Sequence, residues 1–385
     1  MSSLALIGPS WPLRGGIART TTALAAALDA HGSLAGFYVP VRQYPGFLYP
    51  GARDIDPHAC PRLEYAHPCF GVLEPWSWPE LAARLRALEP DALVMPFWTA
   101  AWAPLELFVS WRLRRPRIAL VHNPADHGAS VAARQAARAV LGRSDAFLCH
   151  SRSVAAALQE RFPHVPLAVH PLPSGPGETR DRDAARARFG LAPDVVAVLC
   201  FGLVRPYKGV DVLLEAVAKL PREVPITLLL AGEPWGSLAE SLGRRLREPD
   251  LAGRVVANLG WVPEAEVADW YAAADAAVLP YLSATGSAVA AQALGWGLPI
   301  VASAVGGIVD VVHEGVNGTL VAPGRADELA AALRTVCDGD LRSRLSAGAR
   351  AVSARWSWDS YASELELLVA RLLAESPAGG GERRG

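Results

Sequence analysis

The segment FGLVRPYKGVDVLLEAVAKL (201–220) places two cations, Arg205 and Lys208, where an apolar run gives way to a helix. Val210, Leu213, Leu214, Val217 and Leu220 share one helical face, so the pattern starts that helix near Lys208. A helix N-terminus already carries partial positive charge, which makes it a poor place for cations. The placement becomes favourable once an anion sits there, held by free backbone N–H groups and two cationic side chains. The competing reading is a solvated surface pair. A second loop, PSWPLRGGIART (9–20), opens its helix with Gly15-Gly16. Paired glycines let a ligand approach the backbone closely, although they can also only turn the chain.

The elements that must carry these loops are short apolar runs alternating with longer helical patterns. In the first half they are LALIG (4–8), LAGFYV (34–39), ALVM (92–95), IALVH (118–122), AFLC (146–149) and PLAVH (166–170). In the second half they are VVAVLCF (195–201), ITLLLA (226–231), RVVANLG (254–260), AAVLP (276–280), PIVAS (299–303) and GTLVA (318–322). Non-alternating, β-branched runs of this length predict parallel strands buried on both faces. Strand-helix repetition predicts an α/β protein with doubly wound sheets. HPLPSGPGETRDRD (170–183) reads as a linker, and each half opens on a strand, a glycine-containing loop with Arg and Pro, then a helix. The expectation is two Rossmann-like domains facing across a cleft, with ligands beyond the carboxyl ends of the strands. The boundaries expected are 1–175 and 176–355, followed by a last helix within 356–374 and a disordered tail at 376–385.

Composition removes several classes. The chain has 385 residues, 51% hydrophobic, 19% charged, with a formal net charge of -1. That balance implies no nucleic-acid footprint, which would need a clustered basic face. Cys60, Cys69, Cys149, Cys200 and Cys337 form no C-x-x-C pair and read as inert thiols in a reducing compartment. No basic n-region precedes the first strand, and no apolar run approaches the ~20 residues of a spanning helix, so a cytoplasmic location is expected.

Taken together, GPSWPLRGGIA (8–18), FGLVRPYKG (201–209), AGE (231–233), YAAADAAVLPY (271–281), GWGLPIVASAVGGIVDVV (295–312) and EGVNGTLVAPG (314–324) give the chain a family likeness. It resembles family-4 retaining glycosyltransferases with the GT-B fold, and RQYPGFLYPG (42–51) resembles a bacterial subgroup of them. The resemblance implies transfer of a sugar from a nucleotide-diphosphate sugar to an acceptor with retention of anomeric configuration. The donor would lie mostly on the second domain and the acceptor mostly on the first, within the aromatic stretch Tyr44 to Trp78. Arg205 and Lys208 match the family's pyrophosphate-binding pair, which would stabilise the leaving diphosphate. Gly15 and Gly16 match its first-domain glycine loop. His122 in VHNPADH (121–127) matches a histidine near the reacting sugar, against the plainer reading of a strand-end histidine bonded to backbone; His127 is a weaker candidate. The last helix, in WSWDSYASELELLVARLLA (356–374), would pack back on the first domain. No cofactor and no metal are implied, and no His/Cys cluster has ligand spacing.

The stretch LPYLSATGSAVAAQALGWGLPIVAS (279–303) departs from the family pattern. The family carries two glutamates eight positions apart there, and this chain has Ala284 and Gln292. Gln292 keeps an acceptor oxygen and adds a donor, so it can bond ribose hydroxyls; Ala284 replaces nothing. Thr285, Gly286 and Ser287 open the helix and offer N–H groups and a hydroxyl to the donor, while Ser287 reads equally as an N-cap. Two alternatives therefore stay open: a non-catalytic protein that binds a sugar nucleotide, and another GT-B activity such as an epimerase. The partners expected are a nucleotide sugar and a carbohydrate, lipid-linked or small-molecule acceptor. PFWTAAWAPLELFVSWRLRRPR (96–117) leaves room for peripheral contact with the inner face of a membrane, against the plainer reading of a packed helix followed by a solvated basic turn.

Overall fold

The computed structural model describes residues 2–42, 55, 63–124, 130–175 and 177–375. Cys60, His127, the tail 376–385 and nearly all of RQYPGFLYPG lie outside the described residues. The chain divides into two compact units, one of Met1–His170 with Trp358–Gly385 and one of Pro171–Ser357.

The first unit runs β1 (Leu4–Ile7), α1 (Gly16–Ala30), β2 (Leu34–Arg42), β3 (Ala66–Gly71), α2 (Trp78–Leu88), β4 (Ala92–Phe97), α3 (Ala103–Arg112), β5 (Arg117–Val121), α4 (Val131–Leu141), β6 (Ala146–Cys149), α5 (Arg152–Arg161) and β7 (Leu167–Val169). The second runs α6 (Arg182–Arg188), β8 (Val196–Phe201), α7 (Val210–Lys219), β9 (Ile226–Ala231), α8 (Leu238–Arg245), β10 (Val255–Asn258), α9 (Glu264–Ala273), β11 (Ala276–Leu279), α10 (Ala288–Gly295), β12 (Ile300–Ser303), β13 (Gly318–Val321), α11 (Ala326–Thr335) and α12 (Gly339–Arg355). The last helix, α13 (Trp358–Glu375), returns to the first unit.

Each unit holds one parallel sheet, in the order β3-β2-β1-β4-β5-β6-β7 and β10-β9-β8-β11-β12-β13. The order reverses between β1 and β4 and between β8 and β11, which are the crevices where doubly wound sheets take ligands. The apolar runs form central strands because both faces are covered. Every residue of β1 is fully buried, and β8 packs between two apolar layers, with Leu199 on one side and Val198 on the other.

β3 was not expected from the apolar pattern. Its sequence AHPCFG contains Pro68 and no β-branched residue, and it falls in the aromatic stretch Tyr44 to Trp78. It pairs only with β2, at the edge of the sheet, where a missing N–H donor costs no interior ladder bond. It also makes β5, which precedes His122, the fifth strand of the chain rather than the fourth.

The unit boundary differs by a few residues from 1–175 and 176–355, for packing reasons. Gly177 N donates to Gly295 O at 3.0 Å, and the Ser174 and Ser353 hydroxyls lie 3.3 Å apart, so the linker lies on α10 and α12. Trp356 packs on His313 and on the second unit's core. In α13, Tyr361, Ala362, Leu365, Leu368 and Val369 recur at helical spacing and cover Leu24, Ala25 and Leu28 of α1. His31 joins this contact, with Nε2 2.8 Å from Asp359 Oδ1 and Nδ1 3.2 Å from Glu366 Oε1. Those two carboxylates raise its pKa.

Candidate active site

In the second unit the candidate residues gather on loops at the β8/β11 crossover. After β8 the chain makes a 3-10 turn, Pro206–Lys208, and α7 begins only at Val210. Lys208 is therefore not in the first turn of α7, as the periodicity suggested. It ends the turn before it, and left-handed Gly209 (φ 62°) separates the two. Glycine is required there because a Cβ would lie 2.1 Å from Pro280 O. Arg205 and Lys208 thus flank a turn directly ahead of the α7 N-terminus.

The Lys208 ammonium lies 5.3 Å from the centroid of the Tyr281 ring. A Cβ on Gly202 would meet Lys208 Nζ at 3.2 Å, so that glycine makes room for the amine. Burial pulls the Lys208 pKa below its ordinary value, and the Arg205 charge adds to the shift. Arg205 lies over Trp235, with Cζ 4.1 Å from the ring centroid. Neither cation forms an ion pair within the described residues. Two neighbouring cations without a carboxylate are an arrangement that an anion relieves.

The loop after β11 joins this site through Leu282 N, which donates to Tyr207 O at 2.7 Å. Ser287 caps α10, its Oγ accepting from Ala290 N at 3.1 Å, with the buried Tyr281 hydroxyl 3.5 Å away. The N-cap reading of Ser287 therefore holds. Thr285 and Gly286 precede it, and the space over Gly286 is open. The Ala284 carbonyl accepts from Gly307 N at 3.3 Å, and Gly306 approaches it so closely that a Cβ would clash at 1.6 Å. Gln292 lies on α10, half-buried, and its amide bonds to none of the described residues.

In the first unit Gly15 is the N-cap of α1 with φ 119°, a conformation that needs glycine. Gly16 starts the helix, and a Cβ at either position would meet open space. Thr22 steadies this loop by accepting from Trp11 N at 3.0 Å and donating to Ala18 O at 2.7 Å. His122 follows β5 directly, and its backbone N donates to Phe97 O at 2.9 Å. Its ring Nε2 is buried without a hydrogen-bond partner among the described residues. The ring lies 4.3 Å from that of His150, which follows β6. Burial holds the His122 pKa well below the ordinary value, with His150 adding to the effect, so the imidazole is neutral at pH 7. Burial likewise lowers His150, to about 4.

Three features were not read from the sequence. Trp235 stands in the loop after β9 and His150 at the end of an apolar run; both positions are visible, but neither partner is. The chain also carries Asp-x-Asp triplets, a pattern able to hold a cation, at 54–56, 181–183 and 338–340, of which Asp54 and Asp56 lie outside the described residues. Asp181 and Asp338 each cap a helix, α6 and α12 respectively.

Residues 14–175 match the family model described as Glycosyltransferase Family 4, and residues 195–338 match that for Glycosyl transferases group 1. D-inositol 3-phosphate glycosyltransferase of Xylanimonas cellulosilytica is 32% identical over 253 residues, 62% of this chain and 60% of that protein. The enzyme of that name from a Nocardioides species is 37% identical over 222 residues, 54% of this chain and 48% of that protein. The chain thus spans about half the length of the curated relatives it matches. Sucrose-phosphate synthase of Thermosynechococcus elongatus superposes with a TM-score of 0.76 at 20% identity, covering 98% of this chain and all of that one. Anabaena HepE in complex with UDP gives 0.74 at 19% identity over 96% of this chain and all of that one. The fold is that of the GT-B glycosyltransferases. The chain carries a glycosyltransferase family domain in each half, and its resemblance to family 4 is supported along both.

Proposed function

We propose that this protein transfers a sugar from a nucleotide-diphosphate sugar to an acceptor hydroxyl, with retention of anomeric configuration. The observation that carries the reading is the pair Arg205 and Lys208, unpaired with any carboxylate among the described residues, beside the N-terminus of α7 at the β8/β11 crossover. In the reaction the anomeric C–O bond to the diphosphate breaks and its electron pair leaves with the diphosphate. The two cations stabilise that developing charge. The acceptor oxygen takes the vacated bond on the same face, and its proton leaves with the diphosphate. Gln292 bonds the ribose, and Thr285, Gly286 and Ser287 offer N–H groups and a hydroxyl to the donor. In the first unit, neutral His122 offers a ring nitrogen to a sugar hydroxyl, and the open space over Gly15 and Gly16 lets an anion approach the backbone.

The donor is a nucleoside-diphosphate sugar. The acceptor is a carbohydrate, a lipid-linked glycan or a small polyol; the curated relatives are named for an inositol phosphate. No helix among the described residues is long and apolar enough to cross a membrane. α3 buries Leu105 and Val109 against the first sheet and exposes Trp111, with Arg112 beside it and Arg114 and Arg115 following. Peripheral contact with anionic lipid through this face belongs to the reading, and co-sedimentation with phosphatidylglycerol vesicles tests it.

Ala284 and Gln292 favour a second reading, a sugar-nucleotide-binding protein without turnover. The deciding experiment is a panel of UDP-, ADP-, GDP- and dTDP-sugars with polyol and glycan acceptors, followed by nucleoside diphosphate release and by the anomeric configuration of the product. Turnover that falls about 100- to 1,000-fold in Arg205→Ala and in Lys208→Ala supports transfer. Binding without turnover selects the second reading, and binding indifferent to both substitutions removes the donor site from these loops.

A further inference from the structure

Arg205 has a companion that no sequence motif announces. Its guanidinium carbon lies 4.1 Å from the centroid of the Trp235 ring, in the range of a cation–π contact. The two side chains come from different loops, after β8 and after β9, which the sheet order makes neighbours. Those loops are fastened backbone to backbone. Val204 N donates to Glu233 O at 2.9 Å, Trp235 N donates to Val204 O at 2.9 Å, and Val204 bridges Pro234. Gly232 allows this approach, since a Cβ there would lie 2.1 Å from Gly202 O. Trp235 is thereby anchored at the residue before Arg205, and 38% of it stays exposed.

The chemistry of the pairing matters. A carboxylate partner would orient Arg205 by bonding its N–H edge, and so would neutralise it and compete with an incoming anion. An aromatic face attracts the cation through its quadrupole and leaves its charge in place. N–H donors stay available to an anion, and the long side chain loses rotamer freedom before the ligand arrives.

We propose that Trp235 is a positioning residue that holds the Arg205 guanidinium in place, still charged, for the diphosphate of the donor. This rests on the donor-site reading of Arg205 above. The pair is distinct from Lys208, which faces Tyr281 instead.

The test is a double-mutant cycle read by calorimetric binding of UDP and of inorganic pyrophosphate to the full chain. Trp235→Leu keeps bulk and removes the π face, and is expected to weaken both ligands by about tenfold. Trp235→Phe keeps a face and should stay within about threefold of the parent. In the Arg205→Ala background, Trp235→Leu should cause no further loss, an outcome that a merely structural tryptophan would not produce. Equal losses from Trp235→Leu with and without Arg205 would overturn the proposal, as would unchanged affinity in Trp235→Leu while Arg205→Ala binds weakly. If Arg205→Ala itself binds both ligands like the parent, the donor-site reading fails and this inference falls with it. Should Trp235→Leu lose its native thermal transition, the comparison of Trp235→Phe with Trp235→His decides, since imidazolium at low pH repels Arg205 and neutral imidazole does not. Weaker pyrophosphate binding by Trp235→His on acidification, without the same change in Trp235→Phe, supports the positioning role, and parallel pH profiles overturn it.

Discussion

Arg205 and Lys208 sit together against the helix dipole, an arrangement that is unfavourable until an anion arrives. Gln292 differs, because a half-buried neutral amide can be replaced by a carboxylate without disturbing a bond to any described residue. Gln292→Glu is therefore expected to keep donor binding within about threefold of the parent, since a carboxylate still accepts from ribose hydroxyls. Loss of all UDP binding in calorimetry would show that the amide donor is required. Glu106 allows a test of stability against pH. It is buried on α3 with Oε1 lacking a partner among the described residues, and burial raises its pKa from 4.5 to about 8. It is thus protonated in the fold and ionised in the unfolded chain between those values. Its contribution to stability is fully present below pH 4.5 and is lost as pH rises toward 8, at up to about 1.4 kcal/mol per unit. Glu106→Gln should flatten that slope in urea unfolding between pH 5 and 8. His122 and His150 act in the opposite sense, since their lowered pKa values weaken the fold as pH falls below 6.5.

Loops, more than strands, decide where these side chains meet. Gly209 keeps Lys208 out of α7 and lets the β8 loop touch Pro280. Gly209→Ala combines left-handed strain with a backbone clash and should cost ~2 kcal/mol or more. Thermal unfolding is expected to show the drop, and pyrophosphate binding should weaken with it because the turn carries both cations. Gly15→Ala meets open space, so strain at φ 119° is its main effect, with a cost of about 1–3 kcal/mol by thermal unfolding. The strand ends were legible to within a residue or two for β1, β5, β6, β8, β9 and β11, because burial on both faces leaves an unbroken apolar run. β3 was not, because an edge strand with Pro68 needs no such run.

The two units differ in how the chain builds them. The second is continuous, Pro171–Ser357, whereas the first is completed only by α13. Residues 171–357 expressed alone should unfold cooperatively and bind UDP through Arg205 and Lys208. A chain ending at Ser357 should leave Leu24, Ala25 and Leu28 exposed and show dye binding and lost near-ultraviolet dichroism in the first unit. A native-like first unit in that truncation would contradict the role given to α13.

The sequence by itself determined the two-sheet class, the GT-B resemblance and the placing of Gly15-Gly16 and of Arg205 and Lys208 on loops that lead into helices, because periodicity and local charge placement are written in neighbouring residues. Tertiary structure alone decided that Arg205 lies on Trp235, that His122 lies beside His150, and that Asp181 and Asp338 are caps. These contacts follow from strand order, which sets β9 beside β8 and β6 beside β5 and so joins loops that are distant in the chain. No local pattern encodes that adjacency, since it is the packing of whole strands that selects it.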